Sequence, residues 1–327
     1  MLKDSFGRIH DYLRISVTDK CNFSCAYCIP VKDCHFLPND RIMTADEIFE
    51  ISKIFISLGV KKIRLTGGEP LLRNDIISII QQIKTLPIQD LAITTNGYFL
   101  DRYLDDLKKL GVYSINVSLD TLNSIKFQNI TQKDAFNKVY SNIQMLLDNH
   151  YHPKINVVLV KGMNDDEIIQ FINITQYLPV HIRFIEYMPF ESNRWNFDKV
   201  ITLDELLNVL KKEKLKVEKL SDAPNSTAKS YRIKGYKGTF AIISTVSHPF
   251  CNTCNRIRLT ADGKLRNCLF AQTETDLLTP LRKGEDIRSL IFNNINSKFW
   301  KRGGLPDFNS SELNDKLSKR KMIEIGG

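Results

Sequence analysis

Six short apolar runs, each followed by a stretch of helical periodicity, occupy the first two-thirds of the chain. This alternation restricts the fold more than any other feature. Strands joined through helices run parallel, because the crossover returns the chain to the same end of the sheet. The runs are residues 12–17, 62–66, 90–95, 114–119, 154–160 and 181–186. The helical stretches have readable ends. Thr44 and Glu47 form a capping box ahead of Ile48, Ile51, Phe55 and Leu58, with Gly59 as the stop. Residues 75–86 carry Ile76, Ile79, Ile80 and Ile83 on one stripe, and Leu104, Leu107 and Leu110 end at Gly111. Phe136, Val139, Tyr140, Ile143 and Leu147 precede a break at Pro153, and Asn164 stands in the capping position before Ile168, Ile169 and Ile172. Thr202 and Glu205 repeat the capping box.

Six such units predict an α/β fold, a partial, three-quarter, six-stranded TIM-like barrel over residues 1–220. In barrels of this kind function gathers where strands end. Gly67, Gly68, Glu69 and Pro70 follow the second strand, Thr94 ends the third, Ser118 the fourth, and Met188 follows the sixth. After about residue 220 the pattern changes. Residues 221–227 are turn-rich and read as a linker into a smaller C-terminal α+β domain, 221–327. Short strands are expected there at 230–233, 239–246 and 256–260, with a hairpin through Ala261, Asp262 and Gly263 into 265–269.

The loop after the first strand carries Cys21, Cys25 and Cys28, a C-x3-C-x2-C spacing with Tyr27 before the last cysteine. Placing 7 cysteines at random in 327 residues gives on the order of 0.003 such patterns, so chance is a poor explanation. Structural zinc wants four closed ligands, and no fourth stands at finger spacing, although Cys34 and His35 keep that reading open. Three thiolates on a 4Fe–4S cluster leave one iron open to a substrate or cofactor. A second triplet, Cys251, Cys254 and Cys268, follows C-x2-C-x13-C. Zinc with His248 as fourth ligand, or another three-thiolate cluster, fits that spacing.

A 43% hydrophobic and 25% charged composition is that of a globular protein. The first residues show no apolar h-region, no run reaches membrane-span length, and the cysteines read as reduced thiols, so a cytoplasmic setting is expected. The formal charge of +9 lies partly in the lysine runs at 211–216 and 316–321, which read as solvated faces. These runs lack the interleaved aromatics of a zinc-dependent nucleic-acid-binding module, the rival of another class. The informative charges are Arg14, Arg64, Lys154, Arg183, Arg256 and Arg258, each inside an apolar strand. Buried cations need an anion, and several converging on one lumen would hold a triphosphate. Arg256 and Arg258, two apart on a strand, face the same way.

The segments Leu13 to Phe23, Ile63 to Pro70, Ile182 to Met188 and Phe250 to Leu259, with the terminal Gly326 and Gly327, resemble the GTP 3′,8-cyclases of molybdenum cofactor biosynthesis. Those are radical S-adenosylmethionine (SAM) enzymes, and the resemblance runs from about Arg8 to Gly327. It implies a partial barrel of the radical SAM type and two 4Fe–4S clusters, one on each cysteine triplet. It implies SAM contacts at Tyr27, Gly67, Gly68, Glu69, Ser118 and Met188, with Glu69 on the ammonium. GTP contacts follow at Arg14, Arg64, Thr94, Lys154, Arg183, Arg256 and Arg258, and catalytic roles for Arg256, Arg258, Gly326 and Gly327. The implied reaction is cyclisation of GTP to (8S)-3′,8-cyclo-7,8-dihydroguanosine 5′-triphosphate. Its implied partners are a flavodoxin- or ferredoxin-like reductant and cyclic pyranopterin monophosphate synthase, with no nucleic acid and no membrane, and a homodimer as one admissible assembly. A radical SAM peptide maturase is the rival enzyme, though such enzymes carry more downstream cysteines. Ile29 stands where the family has Met, and residues 31–36 form a shortened loop.

Overall fold

The structure, a computed structural model, describes residues 1–28, 36–190, 193, 195–310, 312–313, 316–318 and 320–326. Six strands recur with helices between them: β1 (Tyr12–Ser16), β2 (Lys62–Thr66), β3 (Asp90–Thr95), β4 (Ser114–Ser118), β5 (Lys154–Leu159) and β6 (His181–Glu186). The intervening helices are α1 (Ala45–Ser57), α2 (Ile76–Lys84), α3 (Leu100–Lys109), α4 (Ser124–Thr131), α5 (Phe136–Asp148) and α6 (Ile168–Tyr177). Both capping boxes form, Thr44 with Glu47 at α1 and Thr202 with Glu205 at α7 (Leu203–Lys212). Asn164 does not cap. Its side chain ties Val160 N to the carbonyls of Asp120 and Val158, bracing the turn after β5 instead.

The remaining strands are β7 (Val217–Lys219), β8 (Lys229–Ile233), β9 (Thr239–Ile243), β10 (Arg256–Leu259), β11 (Lys264–Arg266) and β12 (Thr275–Asp276), followed by helices α8 (Leu278–Arg282), α9 (Arg288–Asn296) and α10 (Met322–Ile325). Among the described residues the twelve strands lie in one mostly parallel sheet, ordered β12-β11-β10-β1-β2-β3-β4-β5-β6-β9-β8-β7. The expected run of six parallel strands is longer, because β10 pairs parallel to β1 and β9 parallel to β6. Both additions come from beyond residue 220. The segment expected as a linker is the connection of the antiparallel pair β7–β8. β9 stops short of Val246, whose N–H turns away from the ladder to the Glu186 carboxylate, 2.7 Å.

The sheet has two chemically different faces because side chains alternate along each strand. Leu13 and Ile15, Ile63 and Leu65, Ile115 and Val117, and Ile182 and Phe184 are all buried, packed in one core with Ile51 and Phe55 of α1, Ile79 and Ile83 of α2, and Phe171 of α6. Each such side chain contributes roughly 1.5–3 kcal/mol by leaving water. A smaller cluster of Phe190, Val246, Phe270, Leu305, Phe308 and Leu317 takes in Ile325, and so anchors the end of the chain.

Candidate functional site

The other face of the sheet is polar and lines a cavity of about 560 Å³. Here the inward positions are Tyr12 and Arg14, Lys62 and Arg64, Asn116 and Ser118, Lys154 and Asn156, Arg183, and Arg256 and Arg258. Among the described residues the lining carries eight cations, with Arg302 as the eighth, and one carboxylate, Asp120.

Three of these arginines form a row. Arg258, Arg14 and Arg64 occupy matched register positions on β10, β1 and β2. Arg64 donates to the Tyr12 hydroxyl at 2.6 Å and to the Ile93 carbonyl at 3.0 Å. The Asn116 amide oxygen, in the orientation that satisfies its neighbours, accepts from Arg64 at 3.2 Å and Arg183 at 3.1 Å. Burial, and then the like charges across the row, push Arg258 well below the usual guanidinium range, and Arg14 and Arg183 to about 10. Lys154 falls to about 8 through burial and the charges of Arg183, Arg64 and Lys62. A lumen that resists its own charge in this way is matched to a polyanion.

Cys21, Cys25 and Cys28 line one part of the cavity together with Tyr27, Gly67, Gly68, Ser118 and Met188. The glycines are required by backbone contact. A Cβ on Gly67 would lie 2.4 Å from the Thr18 carbonyl, and one on Gly68 2.3 Å from that of Lys20. Gly68 N donates to Thr18 O at 2.7 Å and Glu69 N to Lys20 O at 2.9 Å, so this loop is stitched to the segment that leads into the cysteines. Glu69 has a structural employment in addition to the role expected of it. It is fully buried, and its carboxylate accepts from Thr95 Oγ1, Leu71 N and Asn96 N at 2.6–2.9 Å, which joins β3 to the loop. Burial holds it up at about 7 against those bonds. Tyr27 donates its hydroxyl to Asp120 at 2.6 Å, and Asp120 accepts also from Val158 N, so the cysteine loop is tied across to β4 and β5. Burial and the nearby carboxylates Glu69 and Asp120 push the Cys21 thiol up to about 11 and Cys25 upward as well.

Cys251, Cys254 and Cys268 line the cavity near Arg256, Arg258 and Phe270. Their surroundings are cationic. Arg256 donates to Cys254 Sγ at 3.5 Å, Lys298 at 3.7 Å, and the Arg302 N–H to Cys251 Sγ at 3.4 Å. Although burial opposes it, Arg256 and Lys298 pull Cys254 down to about 6. Arg258 donates to the Gly326 carbonyl, and Gly326, at φ +78°, packs where a Cβ would meet Thr66 Oγ1 at 2.4 Å. Gly327, Cys34 and His35 lie outside the described residues. His248 is bonded to Ser247 Oγ and is not part of the lining.

Among the described residues the six cysteines of the two triplets form no disulfide, and all line one cavity. Among the described residues no three His, Cys, Asp or Glu converge as a single-ion site. In an iron–sulfur cluster each thiolate takes a different iron, so the triplets fit that group without such convergence. Residues that sequence reasoning missed are Tyr12, Lys62, Asn116 and Asn156, and the stretch from Ala223 to Ala228. Tyr12 and Lys62 carried a signal, standing two residues before Arg14 and Arg64 on the same faces.

This sheet and the first triplet define a radical SAM protein. Residues 15–174 match the Radical SAM superfamily, which uses SAM and a 4Fe–4S cluster, and residues 180–302 match the family described as Molybdenum Cofactor Synthesis C. Among curated proteins, the chain is 39% identical to a GTP 3′,8-cyclase of Listeria welshimeri, covering 100% of this chain and 99% of that one. It is 40% identical to the mitochondrial GTP 3′,8-cyclase of Arabidopsis thaliana, covering 100% and 84%. Molybdenum cofactor biosynthesis protein 1 of Bos taurus is 42% identical over 96% of this chain and 50% of its own length, so the chain spans about half of that relative. The chain belongs to the GTP 3′,8-cyclase family of molybdenum cofactor biosynthesis. Among solved structures, Streptococcus suis SuiB bound to S-adenosylmethionine shares the fold, at TM-score 0.57 and 16% identity over 89% of this chain and 69% of that one. Among the described residues no helix is long and apolar enough to cross a membrane.

Proposed function

We propose that this chain cyclises GTP to (8S)-3′,8-cyclo-7,8-dihydroguanosine 5′-triphosphate, the first step of molybdenum cofactor biosynthesis. The observation that carries the reading is the lining of one cavity by two cysteine triplets and by eight cations against one carboxylate. Cys21, Cys25 and Cys28 would hold the SAM-binding cluster, with Tyr27, Gly67, Gly68, Ser118 and Met188 around SAM. Cys251, Cys254 and Cys268 would hold a second 4Fe–4S cluster. When bound, SAM on its reduced cluster supplies a carbon radical able to take hydrogen from an unactivated ribose carbon. The chain's own contribution is placement. Arg258, Arg14 and Arg64 grip the triphosphate from three neighbouring strands, with Arg256, Lys154 and Arg183 flanking them and Thr94 as a neutral donor. Fixing the phosphates at one end positions ribose and base for ring closure, which offsets several kcal/mol of barrier by orientation. Gly326 completes the site from the tail, and a catalytic role is assigned to Gly327 with it.

The two regions 1–220 and 221–327 act on this view as a SAM-binding partial barrel and a substrate-binding part. A flavodoxin- or ferredoxin-like reductant and cyclic pyranopterin monophosphate synthase are the protein partners, and the setting is the cytoplasm. The test is anaerobic reconstitution with iron and sulfide, then incubation with SAM, dithionite and each nucleoside triphosphate in turn. SAM cleavage with cyclised product from GTP alone is expected. Equal product from ATP, or no SAM cleavage by cluster-loaded protein, would overturn the reading.

A further inference from the structure

The two cysteine triplets sit in opposite electrostatic surroundings, and at the second a buried lysine adds to the charge of Arg256. Lys298 lies just beyond α9 and is 4% exposed. Its ammonium donates to the Arg256 carbonyl at 3.0 Å and to Cys254 Sγ at 3.7 Å, and among the described residues these are its partners. A buried ammonium is costly unless an anion faces it, and neither partner is a carboxylate. The sulfur of Cys254 is the group that answers this charge. Around the first triplet the arrangement is reversed: the carboxylates of Glu69 and Asp120, beside the other thiols, act on Cys21 and Cys25.

We propose that Lys298 is the fixed counter-cation of the second cysteine triplet, and that it raises the reduction potential of the iron–sulfur group held there. This rests on the second-cluster reading given above. Reduction adds one electron from an external one-electron donor, with no bond made or broken, so the added negative charge falls on an assembly already anionic through its thiolates. A cation against Cys254 favours that form, and burial keeps solvent from screening the effect. The Arg256 carbonyl fixes where the ammonium stands, so the residue also couples the triplet to the strand that carries two substrate-facing arginines. Lys298 acts through Cys254 and is therefore a positioning residue.

The test uses full-length protein in which Cys21, Cys25 and Cys28 are all changed to Ala, so that only the second triplet can hold iron. In this background Lys298 is kept, changed to Met (similar in length, uncharged) or changed to Arg. Iron and sulfide content and an EPR-monitored redox titration are measured for each. Lys298→Met should keep its iron and titrate at a potential at least ~59 mV more negative, a tenfold change in the one-electron equilibrium. Lys298→Arg should recover most of the difference. If Met loses the iron while Arg keeps it, the cation is needed to hold the thiolate form, which supports the same role. Iron retained with an unmoved potential in the Met variant, or iron lost from both variants, would overturn the proposal. A background protein that binds no iron with Lys298 intact would instead defeat the second-cluster reading.

Discussion

Arg14 stands directly opposite Arg258 across the β1–β10 pair, two guanidinium groups at one register position of neighbouring parallel strands. Like charges placed opposite one another destabilise a sheet. The ligand-free protein therefore carries a strain that a polyanion relieves. Arg14→Met should raise the stability of the ligand-free protein by roughly 0.5–1 kcal/mol. The same change should weaken triphosphate binding about 10- to 100-fold, the equivalent of one charge-assisted hydrogen bond. Melting temperatures with and without GTP, and affinities for GTP and guanosine, check both halves. A variant that melts lower and binds GTP normally would contradict the argument.

A pH dependence follows from Lys154. In the free protein its amine is lowered to about 8, and a bound anion must raise it again. Affinity should be flat below about pH 8 and fall as pH rises above it, by up to tenfold per unit. Tyr12, whose burial is outweighed by Arg64 and Arg14 so that it also lies near 8, works in the same direction by becoming an anion. Calorimetry in two buffers of different ionisation enthalpy should detect proton uptake on GTP binding at high pH. The pair of changes Lys154→Arg and Tyr12→Phe should abolish most of the slope.

Acid lability has a separate origin. Burial, with Arg183 and Lys154 adding to it, lowers His181 to about 3, and His10 lies at about 4. Below about pH 6.5 the unfolded chain takes up these protons while the folded chain does not, so stability falls as pH drops from about 6.5 towards 4. The carboxylates held low, Asp4 and Asp276 at about 2, give up their contribution only at lower pH. Denaturant midpoints between pH 7 and 4 should show the loss, and His181→Gln should shrink it.

Gly326→Ala tests the tail. The new methyl group would meet Thr66 Oγ1 at a left-handed φ, so the last residues must leave their seat and release Arg258. Ile325 remains available to the small apolar cluster, so the melting temperature should change little. Cyclised GTP should drop at least tenfold while reductive SAM cleavage persists. Unchanged product formation would remove the tail from the active site.

Much of the site was readable because strand alternation is a local code. Once Arg14 and Arg64 were placed on strands, the direction they face followed, as it did for Arg256 and Arg258. What escaped was non-local. Nothing around Arg256 announces that its strand lies beside β1, nor anything around Thr239 that its strand lies beside β6, because parallel pairing across long separations leaves no short-range mark. The bracing role of Glu69 escaped for the same reason. A carboxylate in a glycine-rich loop gives no sign that Thr95 and Asn96, at the end of β3, bond to its oxygens. Asn164 resembled a cap and instead braces the turn after β5. β7 and β12, of 3 and 2 residues, are too short to carry a period.

The pairing of β1 with β10 and of β6 with β9 has a consequence during synthesis. A ribosome releases the first six strands well before the two that cover their outer members. Throughout that interval the nascent chain presents two bare sheet edges, the kind of surface that recruits other strands. A message cut short near residue 220 would therefore yield an adhesive fragment in place of a smaller enzyme, and holding factors that shield emerging chains have their longest task here in the wait for Leu259.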